Sequence, residues 1–180
     1  NFAAARFFAA GLLCPQIRNV TIAAESLTGA AFEPGAEVTI RLPREDGDAD
    51  ERHYSVWKST VKGEFDVCVV LHGLGPGSRW AARCAVGDLV EISRSHALPI
   101  ALDHSTEAQL LFGDETSIAA SDAMIRALPA DAVVFACFEI SSMERRWPDP
   151  DVVRPEGVYW VDPAGRAGSD GAARPGSPRC

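Results

Sequence analysis

The sequence predicts a β-then-α/β chain: a small antiparallel barrel or sandwich, followed by part of a parallel α/β unit. Two observations predict it. Between residues 16 and 93, short apolar-alternating segments recur with a turn every ten or so residues, the pattern of an all-β domain. Beyond residue 108, two unalternating apolar runs flank a helical segment, the pattern of a strand–helix–strand crossover.

The elements follow in order. Residues 2–13 carry one arginine in a short apolar run. Gly11 interrupts that run, no Ala-x-Ala-like cleavage site precedes the next strand, and Cys14 lacks a lipoprotein context. The segment therefore reads as a first strand and not as a signal peptide. Residues 16–23 alternate, with Val20 and Ile22 on one face, and residues 38–42 alternate cleanly; Glu33-Pro34-Gly35-Ala36 is the turn between them. Residues 44–51 are charged and glycine-broken, which predicts a surface hairpin loop. Residues 54–57 and 65–71 read as two further strands, with Lys62-Gly63 in their connection. A short helix opens at Pro76 and ends near Ala85, since a proline's missing N–H costs nothing in a first turn. Val86-Gly87-Asp88 is a turn, and 89–93 is another strand.

The second unit has an apolar strand at 109–112 and a helix at 117–128. Ile118, Ile125 and Leu128 stand at i, i+7 and i+10 of that helix, with Pro129 as a stop. A second apolar strand spans 132–138, and 158–161 is a third, shorter one. The two longer strands are expected to be buried on both faces. Everything after Asp162 is glycine, alanine, arginine, proline and serine, a composition expected to stay disordered. The division is therefore 1–103, 104–161 and a tail at 162–180, with the boundary between the first two near 101–106.

Composition bounds the function. The 180 residues are 47% apolar and 23% charged, ordinary for a soluble globular protein, and carry a net charge of −8. That charge argues against nucleic acid or anionic membrane as a partner, because both are held by basic patches. An anionic cofactor would need local donors such as Arg52, Arg79 or a helix N-terminus. The five cysteines are scattered without a Cys-x-x-Cys, and the four histidines are dispersed, so the sequence predicts reduced core cysteines and no metal site. No apolar run approaches the ~20 residues that span a membrane. Neither a Gly-x-Ser-x-Gly elbow nor a Walker phosphate loop is present, which disfavours hydrolases.

Three motifs carry chemistry. The first is Arg52-His53-Tyr54-Ser55 on a strand. The second, His72-Gly73-Leu74-Gly75-Pro76-Gly77-Ser78-Arg79-Trp80-Ala81, runs from a strand into a helix start, where glycines admit a ligand to backbone N–H groups. The third is Gly113-Asp114-Glu115-Thr116, which closes an apolar strand and opens a helix, the place where open α/β sheets hold nucleotides. Taken singly, each also fits a plain strand end or corner.

In this order and spacing, over residues 16–160, the motifs resemble the siderophore-interacting protein family, FAD-containing ferric-siderophore reductases built like ferredoxin reductases. The resemblance implies an antiparallel FAD-binding β-barrel followed by a partial parallel nucleotide-binding α/β domain. It implies that Arg52 clamps the pyrophosphate, Tyr54 stacks on the isoalloxazine, and Ser55 reaches a flavin ring nitrogen. His72, Gly73, Gly75, Pro76, Gly77 and Ser78 would line the FAD site, the backbone near 75–78 meeting the phosphates and the Ser78 hydroxyl adding a donor. Trp80 would pack beneath the loop. Asp114, Thr116 and Ser117 would face the nicotinamide cofactor. Arg145 and Arg146, past the end of the second strand, would receive an adenosine 2′-phosphate and so favour NADPH over NADH; a solvated basic loop reads equally well.

The chain departs from the family's pattern in four places. Trp57 stands where the family often has a second arginine, which would remove a positive charge near the cofactor. Ser93-Arg94-Ser95-His96 replaces a usual Gly-Pro-x-Gly turn. Ser117-Ile118-Ala119-Ala120 replaces Ala-Leu-Pro-Ala, and the segment expected beyond residue 161 is missing, so the second domain reads as truncated. The function expected is transfer of electrons from NADPH (or NADH) through FAD to a ferric siderophore, in a cytoplasmic, monomeric protein. The alternatives are a flavin-binding remnant and a non-enzymatic interaction domain that keeps the fold. No side chain is assigned an acid, base or nucleophilic role.

Overall fold

The structure, a computed structural model, describes residues 1–44, 47–73, 75–94, 102–103, 105–142, 157–162 and 167–169, the last three as backbone only. Six strands form a closed barrel in the order β1-β2-β5-β4-β3-β6. They are β1 (Ala3–Cys14), β2 (Ile17–Ala23), β3 (Glu37–Pro43), β4 (Ala49–Ser59), β5 (Glu64–Val70) and β6 (Leu89–Arg94). All pair antiparallel, and β1 closes the ring by pairing with β6 over Ala3–Arg6. Closure removes every sheet edge, which is how a small all-β unit avoids unpaired backbone. Alternation fills the interior: Val20, Ile22, Val38, Ile40, Phe65, Val67 and Ile92 are almost fully buried. The segment 2–13 is indeed a strand. The hairpin after β3 is shorter than expected, because β4 already begins at Ala49 and pairs with Pro43.

Helix α1 (Pro76–Arg83) links β5 to β6. The second unit holds β7 (Ala108–Asp114), α2 (Ile118–Ala127), β8 (Val133–Glu139), β9 (Val158–Val161) and β10 (Ala167–Ser169), with strand order β10-β9-β8-β7. The pairs β7–β8 and β8–β9 are parallel, the β-α-β arrangement that the apolar runs predict. The fold is thus an antiparallel barrel joined to a parallel α/β sheet.

Two expectations are corrected. The parallel sheet is not buried on both faces: Leu110 (63%), Phe112 (72%), Val133 (47%) and Phe135 (45%) are exposed. The register pairs Leu110 with Phe135, so these side chains form one bare face while the intervening ones pack inward. Residues 167–169, assigned to a disordered tail, pair antiparallel with β9, because ladder hydrogen bonds need backbone and no particular side chain. A second buried cluster joins the units: Ile17, Trp57 and Val70 of the barrel meet Ile118 and Ala119 of α2 and Ala136, Phe138 and Trp160 of the sheet.

Candidate cofactor-binding cleft

Strand β4 and the start of α1 border a cleft of about 370 Å³. Arg52, Tyr54, Ser55, His72, Gly75, Pro76, Gly77 and Ser78 all line it, so most of the first two motifs meet in one place. Thr116 and Ala119 reach the same cleft from the second unit. Glu37, His53, Cys68, Val69 and Val70 complete the wall.

The helix start is open. Gly75 is its extended N-cap and Pro76 its first residue, with no side-chain cap and no acidic residue in the first turn. Arg79 N–H bonds to Gly75 O at 3.0 Å, so the amides of Gly77 and Ser78 lie before the first intrahelical donor and have no carbonyl of the helix to bond. Such amides beside a guanidinium suit an anion. Gly73, at φ +81, makes the turn that brings the chain from β5 to this point. The Ser78 hydroxyl, which the sequence reading offered to a phosphate, instead donates to the Val70 carbonyl at 3.2 Å and pins the helix to β5. At the other end, the Arg18 guanidinium donates to Ala81 O and, at 3.4 Å, to Cys84 O, a favourable placing for a cation.

Tyr54 is half-buried, its ring 6.2 Å from that of Trp80 and tilted by 38°. Its hydroxyl occupies the space a Cβ at residue 77 would need, only 2.4 Å from that position. A side chain at 77 would therefore displace the tyrosine's hydroxyl end. Burial pushes the Tyr54 phenol up to about 12, partly opposed by the Arg52 charge, so it stays protonated at neutral pH. Arg52 donates to Glu51 O at 2.7 Å and lies 3.9 Å from the Asp50 carboxylate, with its side chain 44% exposed. It is available to a ligand at the cost of one weak ion pair. His53 shares a 3.1 Å contact with the Thr39 hydroxyl through Nδ1. Burial likewise pushes the Cys68 thiol up, which keeps it a packing group.

At the opposite rim, Asp114 organises the turn before α2. Its carboxylate accepts from Thr116 N–H at 2.9 Å and the Thr116 hydroxyl at 2.6 Å, and its carbonyl accepts from Ser117 N–H and the Ser117 hydroxyl. The Thr116 hydroxyl, more than any other group, holds the Asp114 carboxyl below its usual range. Asp114 and Ser117 thus shape the rim, while Thr116 and Ala119 form it. Arg145 and Arg146 lie outside the described residues, as do Ser95 and His96.

Two tryptophans sit elsewhere than in this cleft. Trp80 borders a wider groove of about 910 Å³ with Arg44, Asp50, Arg79 and Arg83; the two cavities meet at Pro76. Trp57 does not line the cleft, although it packs against Val70 and Ala119, which do. Alternation along β4 puts Val56 into the barrel and Trp57 toward α2, and the β4–β5 register shifts by one residue between Val56 and Lys58, a bulge.

Comparison with known proteins agrees with the fold. Residues 24–97 match the family described as "Siderophore-interacting FAD-binding domain". That is the family the motifs resemble. A siderophore utilization protein from T. fusca superposes with a TM-score of 0.74 at 21% identity, over 92% of this chain and 70% of its own. The siderophore-interacting protein SipS of Aeromonas hydrophila gives 0.73 at 23% identity, over 89% and 67%. The FAD/NAD-binding domain of a nitric oxide dioxygenase from Vibrio cholerae gives 0.74 at 14% identity, over 99% and 82%. The fold is ferredoxin-reductase-like, an architecture shared with that FAD/NAD-binding domain and with a phthalate dioxygenase reductase. The matched segment, residues 24–97, contributes β3, β4, β5, α1 and β6, and so almost all of the cleft.

Sequence reading missed Arg18, Cys68, Val70 and Ala119. Cys68 and Val70 come to the cleft because β5 runs beside β4, and the expected barrel could have placed them there. Arg18 gives no such signal, since its role depends on where α1 crosses β2.

Proposed function

We propose that this chain is an FAD-binding ferric-siderophore reductase that takes its electrons from NADPH or NADH. One observation carries the reading: Arg52, Tyr54, Ser55 and the uncapped start of α1 line a single cleft, whose far rim is Thr116 and Ala119. The residues present fit the cofactor. A polar, positively charged end (Arg52 with the Gly77 and Ser78 amides) suits a pyrophosphate, and the half-buried Tyr54 ring beside it suits a flat aromatic system. When bound, FAD supplies the redox chemistry, accepting two electrons as hydride and giving them up singly to two Fe(III) centres, whose Fe(II) products hold hard oxygen ligands less well.

The chain's own part is positioning. Arg52 and the helix amides fix one end of the cofactor, and Tyr54, wedged between Trp80 and Gly77, fixes the plane of the ring. Ser55 presents its hydroxyl or N–H to the ring edge. The Asp114 turn holds Thr116 at the rim where a nicotinamide would approach. The location proposed is cytoplasmic; among the described residues no helix is long and apolar enough to cross a membrane.

The test is a visible spectrum of purified protein after FAD addition and desalting, followed by NADPH without oxygen and then a ferric hydroxamate or catecholate. Retained flavin that bleaches, and is reoxidised as Fe(II) appears, is the expected result. Retained flavin that NADPH leaves yellow would reduce the function to flavin binding, and no retained flavin would overturn the reading.

A further inference from the structure

The two halves are joined by a buried polar contact that the flavin-site motifs do not include. Alternation along β4 points the Trp57 side chain out of the barrel, where it is only 6% exposed against α2. Its indole N–H donates to the Asp122 carboxylate, itself 5% exposed. The same oxygen accepts from Arg126 Nε at 2.8 Å, one helical turn further on. A buried carboxylate is stable only with such donors, and an indole N–H buried against apolar side chains needs such an acceptor. Each group therefore makes the other's burial tolerable.

We propose that Trp57, Asp122 and Arg126 form a latch that sets α2, and with it the Thr116–Ala119 rim, against the flavin-facing strand. Trp57 is thereby a positioning residue for electron entry, although it touches neither cofactor. Three features support this. Trp57 lies two residues from Ser55 and three from Tyr54 on one strand, so its anchoring point and the cleft wall move together. Asp122 lies within two turns of Thr116, on the helix that carries the rim. The latch sits where α2 meets β4, and a crevice of about 430 Å³ lined by Lys58, Ser59, Ala123 and Ala127 opens beside it. The positioning role rests on the function proposed above; the latch does not.

Three variants test it. W57F keeps the ring and removes the donor, D122L removes the acceptor, and D122N keeps an acceptor for the indole. Deuterium exchange of the α2 amides, measured without any cofactor, should rise about tenfold in W57F and D122L relative to β4 and return toward the parent value in D122N. Retained FAD should match the parent chain. The limiting rate of flavin bleaching at saturating NADPH should fall about tenfold, since small displacements of a reacting pair are costly, while dithionite reduces the flavin as before. Unchanged exchange in W57F and D122L overturns the latch. Raised exchange with an unchanged limiting rate overturns the positioning role, and so does a W57F protein that loses its FAD. A parent chain that NADPH does not bleach refutes the preceding function, and the exchange data alone then decide the latch.

Discussion

Gly77→Ala separates cofactor binding from folding in a single methyl group. The added Cβ would sit 2.4 Å from the Tyr54 hydroxyl oxygen and 3.7 Å from Cζ, while ordinary contact begins at 3.4 Å. The phenol end must retreat by about 1 Å, and Trp80 limits where the ring can go. The backbone does not object, because Gly77 is not among the residues with positive φ, and alanine favours a helix by up to about 1 kcal/mol over glycine. Displacing a stacked aromatic ring forfeits roughly 0.5–1.5 kcal/mol, a two- to tenfold loss of affinity. FAD titration of the apoprotein, followed by quenching of flavin fluorescence, should therefore show weaker binding, while the melting temperature of the apoprotein holds or rises. An unchanged FAD affinity would refute the role of Tyr54 as the ring support. A fall in apoprotein stability would show the Tyr54–Gly77 contact to be core packing instead.

Other expectations follow from the same geometry. Arg52→Ala removes a charge-assisted pair of donors worth roughly 1.5–3 kcal/mol, so FAD should bind at least about tenfold more weakly; unchanged flavin content would falsify its pyrophosphate role. Tyr54 titrates near 12 when folded and near 10 when unfolded. Its contribution to stability is complete below pH 10 and is lost as pH rises toward 12, by roughly 2–3 kcal/mol, and Tyr54→Phe should flatten that part of the stability–pH curve measured by denaturant titration. Gly63→Ala places a Cβ 2.5 Å from the Ala24 carbonyl at φ +82, and should cost about 3 kcal/mol and some 6–12 °C of melting temperature.

The barrel was legible because its signals are local. Turns at Glu33-Pro34-Gly35-Ala36 and Val86-Gly87-Asp88, and alternation in β2 and β3, each specify an element without reference to the rest of the fold. The cleft was legible only through the three motifs together, since the arrival of Thr116 beside Ser55 depends on how α2 meets β4. What stayed hidden is what depends on a single residue's register or on absent neighbours. A period of two cannot tell that β4 bulges at Trp57, nor that Arg18 will find the carbonyls at the end of α1. An apolar run reads the same whether one face or both are covered, so the bare face of β7 and β8 could not be foreseen.

That bare face governs how the protein behaves as a solute. Its net charge of −8 keeps molecules apart in dilute buffer, while Leu110, Phe112, Val133 and Phe135 offer them a reason to associate. Salt weakens the first effect, shortening its range to about 10 Å at 0.1 M. Sulfate and phosphate strengthen the second by being excluded from apolar surface. The chain should therefore salt out at lower ammonium sulfate than its acidic composition suggests, and keep best cold, in chloride at low ionic strength.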